Sequence, residues 1–132
     1  CMISPSTVLI ERSVLFNAGM FREDYPVCED YDLWLKLSAQ FSIGFVAEPL
    51  IRKYGGHDDQ LSRKYFAMDY YRIKSIDWVL THLNLCPERL LQAKKVILNK
   101  CKILIKGYKK HHNLAQLPEI QKIESKYFEE NL

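Results

Sequence analysis

The segment from Pro87 to about His112 constrains this chain more than any other. At helical spacing Leu90, Ile97, Cys101, Leu104 and Tyr108 line one face, while Lys95, Lys102, Lys106 and Lys109 line another. Pro87 suits a first helical turn, because the N–H it lacks would find no partner inside the helix there. Between Arg89 and Lys110 there are eight Lys or Arg and no acid. Such a helix must pack its apolar stripe on other elements and present its cations outward. The neighbouring segments read the same way. Arg63 to about Leu83 has a helical pattern, and "LPEIQKIESKYFEENL" reads as a last helix with Pro118 near its start. Residues 63–132 are therefore expected to form an all-helical extension.

The first 62 residues have a different character. "STVLI" is a short β-branched run that reads as a buried strand. "ERSVLFNAG" follows with helical spacing and stops on Gly19, a residue suited to the left-handed turn that ends helices. "MFREDYPVC" reads as a loop, "EDYDLWLKLSAQ" as a helix, "IGFVAEPLIRKY" as a strand or pair of strands, and "GGHDDQLS" as a polar turn. The expected fold class is α/β for residues 1–62, followed by the helical tail.

At 132 residues there is room for one domain of ordinary size, and 48% hydrophobic with 27% charged residues is a globular balance. No apolar run approaches the roughly 20 residues that span a bilayer, and no secretory signal opens the chain. The expected location is the cytoplasm, with contact to the inner face of the membrane as an option. The four cysteines lack metal-ligand spacing and read as free thiols. "CMISPSTVLIERSVL" reads as the middle of a domain, which suggests a fragment of a longer protein.

The stretch "PVCEDYDLWLKLS" carries the chemistry-bearing residues. At about 100° per residue, Leu33, Trp34, Leu37 and Phe41 share a sector centred near Asp30. Glu29, Asp32, Lys36 and Gln40 fall on the opposite side. Asp32 and Lys36 form an i,i+4 pair in the favourable order, which suits a solvated face. Asp30 instead starts the stripe that meets the core or a cleft wall, a position suited to a general base. Its alternative role is to interact with the positive end of the helix. The D-x-D triplet "DYD" opens a helix that turns its two acids about 160° apart, so it is not read as a metal-binding pair.

Taken together, "SPSTVLIERSVLFNAGMF", "CEDYDLWLKLS" and "IGFVAEPLIRKYGGHDDQLS" resemble, in order, the C-terminal half of the catalytic domain of family 2 glycosyltransferases, the inverting GT-A enzymes. The match covers residues 4–62. The resemblance implies that Asp30 is the general base that deprotonates an acceptor hydroxyl, with Glu29 supporting it. Trp34, Phe21 and Gly19 would border the acceptor. Arg52, Lys53 and His57 would lie near the donor diphosphate, with His57 approaching the metal. A nucleotide-sugar donor, a glycan or lipid-linked acceptor and a divalent metal (Mg or Mn) are implied for the complete enzyme. The nucleotide-binding half has no counterpart here, so the chain alone is expected to bind no metal and to be inactive.

Two further readings concern partners. The basic face of residues 89–110 suits attachment to an anionic membrane surface. Nucleic acid is disfavoured, since Tyr108, His111 and His112 do not make a base-stacking surface. The alternative to an enzyme is a non-catalytic interaction or dimerisation module carrying a basic helical tail, with a homodimer as one outcome.

Overall fold

The structure is a computed structural model that describes residues 3–52, 54 and 65–129. Among these residues five α-helices form: α1, Arg12–Asn17; α2, Glu29–Gln40; α3, Asp69–His82; α4, Pro87–Lys110; and α5, Leu117–Glu129. The chain divides into two units, Cys1–Met68 and Asp69–Leu132.

The second unit is a three-helix arrangement built on α4. Pro87 is its first helical residue, and the 24 residues of Pro87–Lys110 form one helix without a break. Ile97, Cys101, Leu104, Ile105 and Tyr108 are buried along its inner stripe. Helix α3 contributes Ile73, Ile76 and Val79 to the interior, and α5 contributes Ile120, Ile123 and Tyr127. Each pair of the three helices is in contact. Short links at residues 83–86 and 111–116 make consecutive helices antiparallel. Burying each of these large apolar side chains stabilises the unit by about 1.5–3 kcal/mol before chain entropy is counted.

Polar cross-links run along the same seams. Asp69 Oδ1 accepts from Lys100 Nζ and from Arg72 Nη1, both at 2.9 Å. Tyr70 donates to Glu119 Oε2 at 2.6 Å, and Lys126 Nζ and Tyr127 Oη both donate to Asp77 Oδ1. Burial, then the Glu119 carboxylate, pushes the Tyr70 phenol up to about 12. Burial also pushes the Cys101 thiol up to about 12. Helix α4 ends in a Schellman arrangement: Asn113 N–H reaches Tyr108 O at 3.0 Å and His112 N–H reaches Lys109 O. The left-handed position is held by His112, with φ 54°, not by glycine.

The first unit departs from the α/β expectation: its described residues contain no strand. Ser6 and Thr7 of the expected "STVLI" strand fall in a 3₁₀ turn, Pro5–Thr7, at which Thr7 Oγ1 donates to Ser4 O at 2.8 Å. Val8 beyond it is extended, but Leu9 is wholly exposed rather than buried. Residues 43–52 of "IGFVAEPLIRKY" adopt no regular structure and are exposed throughout. The physical reason is that β-branched and aromatic residues supply only a preference. A strand also needs a neighbour to take its N–H and C=O groups, and none is formed among the described residues.

The helices of this unit match the sequence more closely. α1 ends in a second Schellman arrangement, with Gly19 at φ 84°, Gly19 N–H on Phe16 O and Met20 N–H on Leu15 O. Ala18, Leu33, Trp34 and Leu37 form the core, with Ile3, Val8, Ile10, Val14 and Leu15 packed against it. Trp34 Nε1 donates to Ile3 O at 3.2 Å, tying α2 to the start of the chain. Phe41 is exposed and does not extend the buried stripe.

Ile97→Ala is expected to cost about 2–5 kcal/mol in urea unfolding, whereas Leu91→Ala on the exposed side of α4 changes little. His112→Gly should raise stability by about 1 kcal/mol, since the left-handed position then carries no Cβ penalty. Burial alone would raise the Asp69 carboxyl, but Lys100 and Arg72 outweigh it and hold it below its ordinary 3.8. Its contribution is therefore complete above that value and is lost as pH falls through the lower folded value. Urea midpoints measured across the acid range should show this loss in the parent chain and not in Asp69→Asn.

Candidate functional site

Helix α2 begins after Cys28, which holds a left-handed φ of 65° and turns the chain sharply into Glu29. Glu29, Asp30 and Asp32 all fall in the first turn, where carboxylates complement the unpaired N–H groups of a helix start. Asp30 is half-buried, and its Oδ1 accepts the Tyr31 N–H at 2.7 Å. This is the local, helix-terminus role. Asp30 and Trp34 are also i,i+4 neighbours on one face. Trp34 meets Phe21 edge-on, with ring centroids 6.2 Å apart. Trp34, Phe21 and Asp30 thus lie around the start of α2, with Glu29 half-buried beside them.

The remaining candidates are not brought to this place. Gly19 serves the end of α1. Arg52 is exposed in the irregular segment. His57 and Lys53 lie outside the described residues. Among the described residues no group of three or more His, Cys, Asp or Glu could hold a metal ion.

The polar side of α2 brings a correction. Asp32 and Lys36, expected on a solvated face, are 1% and 7% exposed. Lys36 Nζ stands 2.6 Å from Asp32 Oδ2. The contact is ionic, since neither Asp32 oxygen takes a well-directed hydrogen bond from the described residues. The i,i+4 spacing that suits a solvated pair also lets two charges neutralise each other and go inside. Periodicity cannot distinguish the two outcomes. Nearby in sequence, the Arg22 guanidinium stacks over the Tyr25 ring at 4.2 Å.

The second unit presents a different surface. Its Asp69, Asp77 and Glu119 are engaged at the helix seams, by Lys100 and Arg72, by Lys126, and by Lys74. Lys95, Lys102, Lys106 and Lys109 of α4 are exposed, as the sequence pattern predicts. None of the four forms an ion pair with the described residues. Val96 and Ile103 emerge beside them at 44% and 59% exposure, a feature the two-face reading of the sequence missed. Their i,i+7 spacing was a visible signal. No helix among the described residues is long and apolar enough to cross a membrane.

Removing one partner of the buried pair leaves an uncompensated charge, so Asp32→Ala should cost about 3–5 kcal/mol in urea unfolding. Asp32→Leu combined with Lys36→Met should recover most of that loss. In the folded chain a thiol reagent should modify exposed Cys86 readily and buried Cys101 only on unfolding, as followed by mass spectrometry.

No known family matches this chain, and no curated protein or solved structure does either. The resemblance to the acceptor half of family 2 glycosyltransferases is therefore corrected: no match supports it, and the described residues form helices and irregular segments with no strand, where that fold requires a sheet.

Proposed function

We propose that this chain is a non-catalytic interaction module that docks an anionic partner on the outer face of α4. The observation that carries the reading is the row Lys95, Lys102, Lys106 and Lys109, exposed and without ion pairs among the described residues, while Asp69, Asp77 and Glu119 of the same unit are engaged by other cations. The charge of the two units supports it. Residues 69–132 contain twelve Lys or Arg against seven Asp or Glu, and residues 1–68 contain seven against nine. Unpaired cations in a row attract an anionic surface over a Debye length of about 10 Å at 0.1 M salt. A second copy docking through the same face would meet like charge, which disfavours homodimerisation there. Retention of the chain on an immobilised soluble polyanion such as heparin tests the reading. Lys95→Gln, Lys102→Gln and Lys106→Gln together should abolish retention at moderate salt with an unchanged melting temperature. Unchanged retention would refute it.

A second reading is catalytic and rests on local chemistry alone. Asp30 is half-buried beside Trp34, which meets Phe21, and a carboxylate so placed can take a proton from the hydroxyl of a bound acceptor. Asp30→Asn should then lower turnover of such a hydroxyl substrate by about 10²- to 10⁴-fold. A change in stability with no change in turnover would leave Asp30 its role at the helix start.

A further inference from the structure

We infer that the anionic partner of α4 is a lipid bilayer surface, on which the helix lies flat with Val96 and Ile103 entering the headgroup layer; this rests on the docking role proposed above. At about 100° per residue, Lys95, Lys102, Lys106 and Lys109 occupy roughly 60° of arc. They extend over about 21 Å of helix axis, a straight row suited to a plane. Val96 and Ile103 lie about 60–80° round the helix from one edge of that arc, 44% and 59% exposed, and Leu91 is exposed near the start of the row. Glu88 is the acid on this side, in the first turn and ahead of the lysine row.

The composition of the face separates a bilayer from the other polyanions. Nucleic-acid surfaces rely on arginine for bidentate contacts and on exposed aromatic rings for stacking. Here the row is lysine, and Tyr108, the aromatic residue of α4, is buried. Lysine instead suits an interface: its aliphatic stem lies along apolar surface while the ammonium reaches the phosphates. Exposed aliphatic side chains next to such a row gain nothing from a soluble polyanion but gain burial at the boundary between headgroups and acyl chains. The inner stripe of α4 is already covered by α3 and α5, so docking requires no opening of the unit.

Cosedimentation of the full chain with vesicles tests this. Mixed phosphatidylserine and phosphatidylcholine vesicles should bind the chain at low salt, and phosphatidylcholine alone should not. Lys95→Gln, Lys102→Gln and Lys106→Gln together should weaken partitioning by about 100-fold, roughly fivefold for each lysine. Ile103→Ser with the lysines intact should weaken vesicle binding while leaving heparin retention unchanged. These substitutions are on the exposed side of α4, and circular dichroism checks that the helix persists. Retention on heparin with no binding to anionic vesicles would overturn the bilayer inference and leave the anionic-partner reading standing. Vesicle binding indifferent to the Lys→Gln changes would also overturn it. Binding to neither would end both.

Discussion

The burial of the inner stripe of α4 is the interaction on which the second unit depends. Ile97 and Cys101 are fully excluded from solvent, and Leu104, Ile105 and Tyr108 continue the stripe toward the end of the helix. Helices of 14 and 13 residues, such as α3 and α5, are marginal when isolated in water. What holds them is the apolar surface that α4 offers. The same burial fixes what the opposite side can be. With one face committed to the interior, a helix rich in lysine has only its outer face on which to place them.

Much of this is legible in the amino-acid sequence. Pro87 as a first helical residue, the stripe Ile97, Cys101, Leu104 and Tyr108, the outward lysines and the stop at Gly19 all follow from local rules. A proline without an N–H, a 3.6-residue period and a glycine free of Cβ strain act through neighbours a turn away. The two expected strands failed for the complementary reason. "STVLI" and "IGFVAEPLIRKY" have the residue types of strands, but pairing depends on distant chain, and local composition says nothing of whether a partner is present. The resemblance to a transferase leaned on those two segments as well as on α2, so it fell with them.

The candidate site is legible in part. The sequence places Trp34 on the inner face of α2, and the structure buries it in a cluster with Ala18, Leu33 and Leu37. It places Asp32 and Lys36 in water, where the structure buries both. Charge pattern alone carries no information on what covers a polar face. A buried ion pair and a solvated one have the same spelling.

The pairing of Asp69 with Lys100 has a consequence for register. Apolar stripes tolerate sliding: a shift of one helical turn, about 5.4 Å, can exchange one aliphatic contact for another. At three and four residues on either side of Lys100 stand Val96, Ile97, Ile103 and Leu104, all of them aliphatic. A slip of α4 past α3 in either direction would therefore set Asp69 against hydrocarbon and leave its charge without Lys100. The pair works as an index mark, selecting one axial position from several that the greasy surfaces alone would accept.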